Sequence, residues 1–129
     1  MSKWGDVDLR EIEKGHLFSP EEAAARKLWA EQFISMFRGV ARAAGYGIFV
    51  GGSLVRDIDI VAVPWRKPMQ FKTPDLWVLD LHHTMGLVYG NHGYTIHGHR
   101  WFAMWDPKHP DHQIDLKIIL PAAPRAEAA

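Results

Sequence analysis

The chain has 129 residues, 47% of them apolar and 23% charged, which describes one globular domain and excludes a disordered polymer. Fifteen basic residues cancel fifteen acidic ones, so bulk electrostatic capture of nucleic acid is excluded and only a local basic patch can serve that end. Cysteine is absent, which rules out disulfides and thiolate zinc sites. No run reaches membrane-spanning length and no signal-peptide layout opens the chain, so the expected compartment is the cytoplasm, with no membrane partner.

Residues 1–18 mix charges with scattered apolar side chains and read as a lead-in. Ser19-Pro20-Glu21-Glu22 then combines a cap, a proline preset for the first helical position and a capping-box glutamate. Trp29, Phe33, Met36, Val40 and Ala44 follow at helical spacing and Gly45 closes the pattern, predicting a helix over 19–44. Tyr46 to Val50 predicts a strand, Gly51-Gly52-Ser53 a turn, and 56–63 a second strand stopped by Pro64. A basic loop with Arg66, Lys67 and Lys72 precedes Thr73-Pro74-Asp75, where a second helix is expected over 74–89, with Leu76, Leu79 and Leu87 on its apolar side and Trp77, Leu81 and Val88 on the adjoining face.

Gly90-Asn91-His92-Gly93 predicts a turn. Residues 94–97 and 99–105 suggest a hairpin, and 106–112, with two prolines, a loop. Gln113 to Leu120 is the third clear strand, with Asp115 and Lys117 on the side opposite Ile114, Leu116 and Ile118. The Ala/Pro-rich end, 121–129, is expected to fray.

The chemistry concentrates in Asp57-Ile58-Asp59. Alternation along a strand puts both carboxylates on one face, about 7 Å apart at the backbone. A solvated edge-strand face accounts for two such groups. Asp115 repeats the motif on a distant strand, which favours a shared divalent cation. His82-His83 and His97-x-His99 lack a third ligand, and His83 is expected to pack on its helix. Trp65, Trp101, Phe102 and Trp105 can stack a base, with core or interface packing as the commoner role. Asp75 and Asp80 read as helix-start and solvent-face charges.

Gly52-Ser53, an Asp-x-Asp strand and a later strand with one central Asp, in that order, resemble the nucleotidyltransferase superfamily related to DNA polymerase beta. The likeness spans the central two thirds of the chain and implies an α+β, nucleotidyltransferase-like fold: a small mixed β-sheet backed by helices 19–44 and 74–89. It also implies catalytic and metal-binding roles for Asp57, Asp59 and Asp115, holding two Mg²⁺ ions (or Mn²⁺). Gly51, Gly52 and Ser53 then face the triphosphate, while Arg56, Arg66, Lys67, Arg100 and Lys117 are candidates for neutralising its charge. The implied partner is a nucleoside triphosphate, whose nucleoside monophosphate passes to a hydroxyl acceptor of unspecified class.

The family's longer, helix-bearing connector is reduced here to Leu54, Val55 and Arg56. That leaves a second expectation open, a degenerate relative that binds or regulates without catalysis. A metal-dependent hydrolase on the same carboxylates is the third. The ion pairs Arg56 and Lys117 can form with these aspartates are the simpler role for both cations.

Overall fold

The computed structural model describes residues 18–67 and 70–121, so nearly all of the lead-in and tail lie outside the described residues. Helix α1 spans Pro20–Ala44 and leads into strands β1 (Tyr46–Gly51) and β2 (Asp57–Pro64). Helix α2 (Pro74–Met85) is followed by β3 (Val88–Tyr94), β4 (Arg100–Asp106) and β5 (His109–Ile118). The five strands form one sheet in the order β1-β2-β5-β4-β3. Only β2 and β5 run parallel; every other pairing is antiparallel. The class is α+β, as the sequence implied.

Both helices cover the same face of this sheet. Ile58, Ile60 and Ala62 of β2, Ile114, Leu116 and Ile118 of β5, and Phe102 and Met104 of β4 pack against Phe33, Phe37, Ala41, Trp77 and Leu81. Tyr46 stacks on Trp77 with ring centroids 4.3 Å apart. Its hydroxyl donates to the Lys72 carbonyl at 2.6 Å, and burial pushes its pKa up to about 12. The other face carries Phe49, Asp59, Val61, Trp101, Gln113, Asp115 and Lys117, none of them buried. One face is core and the other is open, so alternation decides which side chains meet solvent.

α1 forms as its signals predict. Ser19 Oγ accepts from the Glu22 N–H at 3.1 Å, and Gly45 caps the far end at φ +97°. The buried stripe is Ala30, Phe33, Ile34, Phe37, Ala41 and Ala44; Met36, expected on it, is 61% exposed, and Phe37 takes the inward position.

Four expectations need correction. α2 stops at Met85, because Gly86 adopts φ +73° and donates to the His82 carbonyl at 2.9 Å, a left-handed cap that leaves Val88 and Tyr89 to start β3. Its buried residues are Trp77, Val78 and Leu81, whereas Leu76, Leu79 and His83 are exposed. Gly90 to Gly93 is strand, with a bulge between Tyr89 and Asn91. These glycines make room for indoles: a Cβ at Gly90 would stand 3.0 Å from Trp105 Cζ3, and one at Gly93 3.2 Å from Trp101 Nε1. Finally, β5 begins at His109 and the turn before it is short, with Lys108 N–H donating to Asp106 Oδ1 at 2.9 Å. Pro110 is tolerated because the β4–β5 register shifts between Met104 and Asp106, where no regular ladder needs its missing N–H. His97 and His99 consequently lie in the β3–β4 connection, off any strand.

Gly45 also sits tightly against the chain: a Cβ there would be 2.6 Å from Phe71 Cβ and 2.9 Å from its Cα. Gly45→Ala therefore combines left-handed strain with a backbone clash, and is expected to cost about 2 kcal/mol or more in urea unfolding. A loss below about 0.5 kcal/mol, the range of ordinary surface changes, would contradict this account of the helix end.

Candidate functional site

The parallel pairing of β2 with β5 sets Asp57 opposite Gln113 and Asp59 opposite Asp115. Neighbouring strands lie about 4.8 Å apart, so two carboxyl groups on the same face at matched positions must meet. They come within hydrogen-bonding reach of each other, and Asp59 holds its proton above the usual carboxylate range. Burial is the largest cause, followed by the charges of Asp115 and Asp57 and the hydrogen bond to Asp115, with Arg56 opposing them. Gln113 Nε2 donates to Asp115 Oδ1 at 2.8 Å, fixing the second carboxylate from its own strand. Sequence reasoning missed Gln113; its place two residues before Asp115 was the available signal.

Asp57 shares the face but has a different partner, Arg56 Nη2 at 2.9 Å from Asp57 Oδ2. Among the described residues no three His, Cys, Asp or Glu side chains are grouped so as to hold a metal. The expected trio is thus a facing pair, Asp59 and Asp115, beside a third carboxylate engaged by arginine. Mg²⁺ is commonly bound through one or two carboxylates together with substrate phosphates and water, so the pair fits one such ion. A second ion needs Asp57 to exchange Arg56 for metal.

The Gly-Gly-Ser turn lies directly against the pair. Gly51 stands opposite Asp59 in the β1–β2 register. Gly52 has φ +88°, and a Cβ there would be 3.0 Å from Asp59 Oδ2 and 3.4 Å from the Asp57 carbonyl oxygen. The connector contains no helix; it turns through Leu54 at φ +63°, a strained conformation for a non-glycine residue.

That strain is held from behind the sheet. Arg26 of α1 donates to the Val55 carbonyl and to the Asp111 carbonyl, each at 2.7 Å. His112 Nε2 lies 3.1 Å from the Leu54 carbonyl, and its ring stacks on Trp29 at 4.8 Å. Burial lowers the His112 pKa, so a neutral ring donating Nε2–H to Leu54 accounts for the contact. Ser53 Oγ accepts from the Val55 N–H at 3.3 Å, tightening the same turn.

The candidate cations separate into three groups. Lys117 lies on the open face two residues beyond Asp115, where Asp59, Val61, Trp101, Asp115 and Lys117 line a shallow depression of about 240 Å³. Arg100 points the other way: only 6% exposed, it donates to Asp75 Oδ1 at 2.9 Å and to the Gly93 carbonyl at 3.3 Å, tying α2 to β3. It is a structural residue, and Asp75 serves as its partner. Arg66 and Lys67 follow β2 at the end opposite the aspartates; seven residues of strand from Asp59 to Arg66 span about 23 Å, so neither reaches the pair. Among the aromatics, Phe102 belongs to the core, while Trp65 and Trp101 are exposed.

Comparisons of the chain with protein-family profiles, curated proteins and solved structures return no match. Among the described residues no helix is long and apolar enough to cross a membrane.

The raised Asp59 pKa has a definite sign. The folded state binds this proton more tightly than the unfolded chain, so the associated stability is present below the ordinary carboxylate pKa of about 4 and is lost as pH rises through the raised value. Asp59→Asn is therefore expected to melt higher than the unsubstituted protein in metal-free neutral buffer. The difference should shrink as pH falls towards about 4. A lower melting temperature for Asp59→Asn at neutral pH would contradict the assignment.

Proposed function

We propose that this domain is a metal-dependent nucleotidyltransferase that moves a nucleoside monophosphate from a nucleoside triphosphate to a hydroxyl acceptor. The observation that carries the reading is the in-register pair Asp59–Asp115 with the Gly52 turn in contact with it. A carboxylate pair beside a glycine turn brings an acidic cation site next to backbone that a phosphate can approach without meeting a side chain.

Asp59 and Asp115 are the residues that hold Mg²⁺ or Mn²⁺, with Asp57 available once Arg56 releases it. Bound there, the ion supplies stabilisation of charge on the attacking and leaving oxygens of an in-line displacement. Gln113 keeps Asp115 oriented. Asp115 is also placed to accept the acceptor hydroxyl's proton. Gly51, Gly52 and Ser53 offer backbone contact to the phosphates, and Arg56 or Lys117 neutralises their charge as the aspartate partner is exchanged. The new bond joins the acceptor oxygen to the α-phosphorus, the α–β phosphoanhydride breaks, and pyrophosphate leaves.

Arg56 on Asp57 at 2.9 Å favours one second reading, a nucleotide-binding domain without turnover. The two are separated by incubating the protein with each nucleoside triphosphate and Mg²⁺ and following pyrophosphate release. Transfer predicts release that falls at least about a hundredfold in Asp59→Asn or Asp115→Asn, and about tenfold to a hundredfold in Gln113→Ala, the range for residues that orient metal ligands. Triphosphate binding by calorimetry with no pyrophosphate from any acceptor would establish the second reading and overturn the first.

A further inference from the structure

Arg66 and Lys67 miss the aspartates but follow directly on Trp65, which shares a cavity with another basic pair. Arg38 and Arg42, one turn apart on α1, line a cavity of about 410 Å³ with Tyr46, Gly47, Ile48 and Trp65. It lies between the C-terminal half of α1 and the edge strand β1, and Arg66 and Lys67 follow the lining residue Trp65 in the chain. Two arginines four residues apart repel each other and weaken a helix unless something answers their charge. Among the described residues none of Arg38, Arg42, Arg66 and Lys67 forms an ion pair.

Trp65, 53% exposed, presents its ring at the mouth of the cavity, and the Arg66 guanidinium lies 4.4 Å from the centre of that ring. The platform is anchored: Trp65 N–H donates to the Gly45 carbonyl at 3.0 Å, and Lys72 N–H to the Ala44 carbonyl at 2.9 Å. An exposed, anchored indole among uncompensated cations matches a ligand made of flat rings joined by phosphates.

We propose that this pocket binds a single strand of nucleic acid, with one base on Trp65 and the phosphates on Arg38, Arg42, Arg66 and Lys67. The strand is the hydroxyl acceptor for the Asp59–Asp115 site. Geometry selects a strand over a mononucleotide. Gly47 lines the pocket and Gly51 stands opposite Asp59, four residues and about 13 Å further along the extended edge strand. The aspartates face the side of the sheet away from α1, so a ligand spanning both must pass round the β1 edge. One nucleotide seated on Trp65 cannot also present a hydroxyl there, whereas a strand of a few nucleotides can. The acceptor role rests on the proposed transfer reaction; the binding itself does not.

The test is fluorescence anisotropy of the full chain with a labelled single strand of about ten nucleotides, as RNA and as DNA. Binding is expected to weaken with salt, with a log–log slope near −3 for about four phosphate contacts. The double variant Arg38→Glu/Arg42→Glu should lose at least about tenfold in affinity, each reversed charge deleting one such contact. Trp65→Ala, which alters no charge, should lose about fivefold or more through stacking. Circular dichroism confirms that the variants fold.

No binding, binding indifferent to these substitutions, or displacement of the strand by an equal concentration of a mononucleotide would each overturn the proposal. Strand binding without pyrophosphate release would sink the transfer reaction and, with it, the acceptor role, leaving the pocket's occupant standing. Pyrophosphate release without strand binding would sink only the pocket.

Discussion

The parallel contact between β2 and β5 is the constraint on which the site depends. Antiparallel neighbours come from a simple hairpin, but a parallel neighbour requires the chain to leave the sheet and return. Here that return takes in α2, β3 and β4, and it ends by placing Asp115 level with Asp59. Two like charges on adjacent strands oppose folding. The sheet accepts them because burial and the neighbouring carboxylates raise the Asp59 affinity for its proton, Gln113 answers Asp115, and Arg56 answers Asp57. A divalent cation would do the same job more completely, and that is the basis of the proposed metal site.

Rigidity at the phosphate turn has a separate source. The connector from Gly52 to Arg56 is too short for a helix, and it holds Leu54 in the left-handed region. Arg26 and His112 bind its carbonyls from α1 and β5, so the turn is fixed by elements that also build the core. In the superfamily that the sequence resembles, a helix end lies near the phosphates. In this chain the connector carries no helix, and Gly52 packs closely against Asp59 instead.

Much of this was legible in the residues. Strict alternation in Asp57-Ile58-Asp59-Ile60 and in Ile114-Asp115-Leu116 fixes which side faces solvent, whatever the rest of the fold. Ser19-Pro20 and Gly45 fix the ends of α1. Several of the differences turn on glycines, which carry more than one meaning: Gly86 stops a helix inside an apolar run, and Gly90 and Gly93 lie in a strand, where they accommodate Trp105 and Trp101. Lysine and arginine placement was equally opaque, because sequence proximity to Asp-x-Asp does not say which end of a strand a cation occupies. Arg66 follows β2 closely in sequence and lies far from its start, and Arg100 faces the core through a salt bridge that depends on α2.

The most direct measurement is anomalous X-ray diffraction from crystals soaked in Mn²⁺ with a non-hydrolysable nucleoside triphosphate. The account predicts a manganese peak between the carboxylates of Asp59 and Asp115, with the phosphates against Gly52 and Arg56 moved off Asp57. Manganese elsewhere, or no manganese at Asp59 and Asp115, would contradict it.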